Sequence, residues 1–63
     1  MKVRDVIKQL EEDGWTMDRM RGDHRQFKKK GERELVTLSG HPSGEVSPGQ
    51  LQDIRRKSGL PLR

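Results

Sequence analysis

The chain contains no cysteine, a single tryptophan, a single phenylalanine and no long apolar run. Without cysteine, disulfides, thiolate nucleophiles and cysteine-based zinc sites are excluded, and a reducing compartment fits. Two histidines, His24 and His41, make a poor metal site by themselves, so neither metal nor cofactor is expected. No stretch approaches the roughly 20 apolar residues needed to cross a bilayer. The start, Met1-Lys2-Val3-Arg4-Asp5, also lacks the apolar core of a secretory leader. The expected location is cytoplasmic, with no membrane among the partners.

What the sequence does have is charge. Of its 63 residues 38% are charged and 27% hydrophobic, with a formal net charge of +4. That composition approaches the disordered range, but the apolar residues fall at periodic positions, which argues for one folded domain over residues 1–63. A chain of this size buries only about 60% of its unfolded surface, so a deep catalytic cavity is not expected. The positive charge is clustered: Arg19, Arg21, Arg25, Lys28, Lys29 and Lys30 fall in one short span around His24. Lysine and arginine neutralise phosphates and release counterions, so the cluster points to a polyanion, and nucleic acid is the first candidate.

Val3, Val6, Ile7 and Leu10 recur at helical spacing and predict an amphipathic helix from about residue 3 to 12, with Asp5 at its positive end and Gly14 as its left-handed stop. Glu11, Glu12 and Asp13 carry the wrong sign for the C-terminal end of the helix dipole, a tolerated cost or a partner surface. From Trp15 the period changes to two, which predicts a first strand burying Trp15 and Met17. Gly22-Asp23 is a turn signal, and a return strand runs from His24 to Lys30. Alternation puts Phe27 towards the core on one face with Arg25 and Lys29, and His24, Gln26 and Lys28 on the other. Lys30-Gly31-Glu32 turns the chain into a third strand, Glu34 to Leu38, with Val36 and Leu38 inward. Ser39 to Ser47 is polar, rich in glycine and proline, and irregular. Ser47-Pro48-Gly49-Gln50 then reads as a helix start, with Ser47 at the N-cap and Gln50 placed to close a capping box. Gly59 stops that helix, Leu60 can pack back on Ile54, Arg55, Arg56 and Lys57 suit its dipole, and Pro61-Leu62-Arg63 are expected to fray. The fold class predicted is α+β, ordered α-β-β-β-α, with both helices on one face of a three-stranded antiparallel sheet. The other face stays open.

That order of elements, together with Glu12-Asp13-Gly14-Trp15, the Gly22-Asp23-His24 to Phe27 motif and the Ser47-Pro48-Gly49…Gly59-Leu60 tail, resembles the HicA-type toxins. These are small mRNA interferases of toxin–antitoxin pairs. The resemblance runs from Val3 to Leu60. It implies a fold similar to the double-stranded RNA-binding domain, an endoribonuclease that needs no metal, and a HicB-type antitoxin as partner. The family's motif is Gly-Ser-His, a variable pair and an aromatic residue. Gly22, His24 and Phe27 match it, and the family's catalytic histidine carries over to His24. Asp23 stands where serine is usual and Arg25 where a second histidine is frequent.

RNA can be cut by its own 2′-hydroxyl when a base removes the proton and an acid protonates the leaving oxygen, and histidine suits either role near neutral pH. Arg21, Arg25, Lys28 and Lys30 are the residues expected to bind the RNA backbone, with Lys28 sharing the strand face of His24. Asp23 repels an incoming phosphate and favours a protonated His24. Without the resemblance, a hairpin histidine is more often a solvated surface residue than a catalytic one, and the loop residue His41 keeps that ordinary reading. Two further readings fit the same face: a non-catalytic RNA-binding module of double-stranded RNA-binding-domain-like fold, and an interaction protein whose RNA affinity is incidental.

Overall fold

Val3, Val6 and Leu10 are buried along one stripe of α1 (Val3–Glu12), as their spacing predicts. Lys2 provides no side-chain cap for this helix. Its first free amides are met instead by the connection before the second helix: Val3 N–H donates to Gly44 O at 2.9 Å and Arg4 N–H to Pro42 O at 3.0 Å. The segment from Ser39 to Ser47 is therefore a backbone cap for α1, which its composition does not reveal. At the other end Gly14 takes φ 97°. Gly14 N–H then donates to Glu11 O at 3.1 Å and Trp15 N–H to Leu10 O at 2.9 Å, a Schellman closure. Asp13, unfavourable to the dipole, accepts from Trp15 Nε1 at 3.3 Å and from Lys29 Nζ at 3.1 Å. Its carboxylate joins the helix exit to the sheet.

The computed structural model describes residues 1–62, and its three strands form an antiparallel sheet in the order β1 (Thr16–Arg21), β2 (His24–Lys28), β3 (Val36–Ser39). Phe27, Val36 and Leu38 face the helices and join Val3, Val6, Leu10, Trp15, Val46, Leu51, Ile54 and Leu62 in one core. This is the predicted α-β-β-β-α architecture. Three strand expectations need correction. The return strand ends at Lys28 and not at Lys30. Trp15 is buried, but Met17 is 51% exposed although it lies opposite Phe27. All six residues of β1 are exposed, so the helix layer does not extend over this outer strand. The third strand begins at Val36 and not at Glu34, leaving Leu35 40% exposed.

The second helix, α2 (Pro48–Ser58), starts as expected, with Ser47 Oγ accepting from Gln50 N–H at 3.4 Å. Gln50 does not complete a capping box. Its Oε1 accepts from both Ser39 N–H and Ser39 Oγ at 2.9 Å, and its Nε2 donates to Ser39 O at 3.4 Å, which fastens α2 to the end of β3. Gly59 takes φ 75° and Leu60 packs against the core. Leu62 is 1% exposed, so the tail is anchored there and not frayed; Arg63 lies outside the described residues.

Removing the Leu62 side chain should leave a cavity in a core with little to spare, and Leu62→Ala should lower stability by about 2–5 kcal/mol in urea unfolding. On α2, Arg56 at 3.1 Å and Lys57 at 3.2 Å hold the Asp53 carboxyl below its ordinary value of 3.8. The sign follows from that depression: the pairing stabilises above the ordinary value and is lost as pH falls through the folded one. The thermal midpoints of wild type and Asp53→Asn should therefore differ at neutral pH and converge as pH falls through the depressed folded value.

Candidate active site on the open face of the sheet

Residues directly opposite in an antiparallel pair project from the same face, so the register defines what surrounds His24. Arg21 and Ser39 flank it on either side, and Arg19 and Thr37 flank Gln26 in the next row. The row beyond pairs Thr16 with Lys28. Arg19, Arg21, Asp23, His24, Gln26 and Thr37, with the backbone of Gly22, enclose a shallow hollow of ≈ 490 Å³.

The presence of both arginines in this hollow depends on an irregularity. Strict alternation from Met17 sends Arg19 and Arg21 to the helix side. The register instead shifts between Met17 and Arg19, where Asp18 is the extra residue of a β-bulge. After it Met20 lies opposite Arg25 on the helix side, while Arg19 and Arg21 join His24 on the open face. Arg19 and Thr37 are members of the site that sequence reasoning did not select. For Arg19 the signal was present in Met17 and Met20, two apolar residues three apart, which share one face of a strand only if an extra residue separates them.

His24 is exposed, and its Nε2 lies 3.5 Å from Asp23 Oδ1. A protonated imidazole would therefore have a carboxylate beside it. Among the described residues no carboxylate comes within 4.0 Å of the guanidinium of Arg19 or Arg21, so their charge is available to a ligand. Lys28 is different. It starts the far end of the face, four residues and about 13 Å from His24 along β2, and its Nζ is paired with Asp18 at 3.2 Å. Lys30 is exposed in the turn after β2, beside a second hollow that Lys28 and Lys29 also line. Neither lysine reaches the hollow around His24.

Arg25 is corrected more sharply. It lies on the helix side with Phe27, is 7% exposed, and points Nη1 at Gly40 O, 2.8 Å away, and Asp23 O, 3.4 Å away. Gly40 N–H also donates to Asp23 O at 3.2 Å. The guanidinium thus straps the turn before His24 to the exit of β3, and it is not presented to a ligand on the open face. His41 stands apart from the hollow, with Nδ1 accepting from Ser43 N–H at 3.1 Å and lying 2.8 Å from Ser43 Oγ.

Fold and face together define a class: small basic α+β proteins whose open three-stranded sheet presents a histidine beside two arginines. The sequence matches the family described as "HicA toxin of bacterial toxin-antitoxin" over residues 3–60, and the chain belongs to that family. Its structure is similar to that of a solved "HicA3 and HicB3 toxin-antitoxin complex", with 30% identity, a TM-score of 0.81 and coverage of 100% of both chains. No curated protein matches the sequence. Among the described residues no helix is long and apolar enough to cross a membrane.

The two arginine environments lead to opposite expectations for the same change. Arg25→Met should lower stability by about 1–3 kcal/mol, because it leaves Gly40 O without its donor. Arg19→Met should stay within about 0.5 kcal/mol of wild type. Urea unfolding followed by tryptophan fluorescence separates the two.

Proposed function

We propose that this chain is a toxin that binds and cleaves RNA, with His24 as the residue that moves the proton. The observation that carries the reading is the placement of an exposed imidazole between Arg21 and the β3 exit, in a hollow that Arg19 also borders. A phosphodiester seated there meets two uncompensated guanidiniums, which can hold its oxygens and stabilise the charge that grows on them. A neutral His24 takes the proton from the 2′-hydroxyl. The oxygen attacks the adjacent phosphorus, the bond to the 5′ oxygen breaks, and that oxygen leaves with a proton from solvent. The products are a 2′,3′-cyclic phosphate and a free 5′-hydroxyl, and no metal is needed because the nucleophile is the substrate's own.

Asp23 bears on this chemistry in two ways. Its carboxylate repels the incoming phosphate, and it stabilises the imidazolium formed once the proton has moved. Lys28 and Lys30, beyond reach of the hollow, serve as backbone contacts for RNA further along the face, where Lys28 must exchange Asp18 for a phosphate.

The partner that restrains the toxin is a HicB-type antitoxin, which on this reading covers His24 and the arginines and presents carboxylates to them. Covering this face blocks substrate, and binding the folded form adds stability to a small domain. A second reading, a non-catalytic RNA-binding module, draws on one specific observation: among the described residues that line the hollow there is no second histidine to act as the complementary acid or base beside His24.

Incubation of labelled RNA in EDTA with wild type and His24→Ala distinguishes the readings. Wild type should yield 2′,3′-cyclic ends and His24→Ala should lose at least about 100-fold in rate, with RNA binding retained. Equal cutting by both proteins removes His24 from the chemistry, and binding without cutting by either leaves the binding module.

A further inference from the structure

The hollow beside His24 has a floor that the chemistry does not use. Gln26 lies two residues along β2 from His24 on the same face, and Thr37 lies opposite it on β3. Gln26 is partly buried, which limits the positions its amide can sample. Among the described residues neither the Gln26 amide nor the Thr37 hydroxyl forms a side-chain hydrogen bond, whereas Gln50, the comparable amide nearby, is fully engaged with Ser39. A primary amide and a hydroxyl therefore stand unoccupied about 7 Å from the catalytic row, walled by Arg19.

No tryptophan, tyrosine or phenylalanine lines the hollow, and on the ribonuclease reading the imidazole and guanidiniums that do line it are committed to the phosphate. The single tryptophan and phenylalanine, Trp15 and Phe27, are each 1% exposed in the core. Stacking platforms tolerate any base because every base has a π-face. The Gln26–Thr37 row offers an amide and a hydroxyl and no ring, so it holds a base through its donors and acceptors, and those differ from base to base.

We propose that Gln26, assisted by Thr37, reads the edge of a base next to the scissile phosphate, so that cleavage is selective at one position of a single-stranded RNA. This rests on the ribonuclease reading. The division of labour is spatial: His24 cuts the phosphodiester that Arg21 and Arg19 hold, and the Gln26 amide, in the row of Arg19, pairs with the base beside it. An amide both donates and accepts, so it matches a base edge that carries one acceptor beside one donor.

The test uses a set of RNA heptamers that differ at one position. It compares wild type, Gln26→Leu, Gln26→Glu and Arg19→Ala, with folding of each checked by circular dichroism. Wild type should prefer one base by about tenfold, the discrimination of a good amide pair. Gln26→Leu should flatten that preference with a smaller change in overall rate. Gln26→Glu, which can only accept, should move it towards bases that offer donors. Arg19→Ala should weaken all sequences alike and reduce the salt dependence of binding by about one phosphate contact. A wild type without preference at any position, or a preference that survives unchanged in Gln26→Leu, overturns the proposal. If wild type cuts nothing, the ribonuclease reading fails separately, and binding of the same heptamers to wild type and Gln26→Leu still decides the role of Gln26.

Discussion

Everything in this molecule follows from how little apolar material it has. Eleven buried hydrophobic residues, led by Trp15 and Phe27, form one core. One such core can seal one face of a three-stranded sheet and no more. Both helices are committed to that side, and the opposite face and the whole of β1 remain in water. The open face is what remains when the single core has been built, and because no packing depends on it, its side chains can be charged without burying charge.

The same scarcity explains how the loops are held. A larger protein could leave its connections loose, but here backbone and polar side chains take over what packing cannot supply. The Ser39–Ser47 segment caps α1 with its carbonyls, Gln50 fastens α2 to Ser39, and Arg25 ties the Gly22-Asp23 turn to Gly40. These attachments converge on the end of the sheet where His24 sits. That end is consequently held from three sides while the imidazole itself stays exposed, which is the combination a surface site needs: a fixed Cα position with an accessible ring.

Legibility from sequence divides along the same physical lines. Both helices, the order of the strands, the inward placement of Phe27, Val36 and Leu38 and the outward placement of His24 could all be read, because each rests on a period or a cap that is local. The facing of Arg19 and Arg21 was missed, because one extra residue at Asp18 inverts every side chain after it and the only mark it leaves is the three-residue spacing of Met17 and Met20. Arg25 illustrates a different limit. Alternation put it on the same side as Phe27, yet its charge suggested a ligand, and the tertiary neighbour that decides between them, Gly40 O, lies 15 residues away. Gln50 and Leu62 were misjudged for the same reason: the competing partner is distant in sequence, and a local motif such as a capping box or a chain end takes no account of it. Val46 was invisible as a core residue inside a segment that had no period at all.

A shallow site on such a face must work with charge and not with enclosure. Water reaches every group in the hollow, so each Coulombic contact is weaker than it would be in a buried cleft and is screened by salt. Two arginines that pair with no carboxylate among the described residues, next to a histidine that does, partly offset that loss by concentrating positive potential where a phosphate would sit and leaving the acidic group close to the imidazole. The arrangement also sets the terms for any protein that silences it. Covering Arg19 and Arg21 removes their hydration, and a buried guanidinium without a partner is strongly unfavourable. A restraining surface must therefore bring carboxylates to the same two positions that phosphates would occupy. On the proposed reading antitoxin and RNA compete for the same charges, and the exposure that would limit catalysis is what makes the site easy to close.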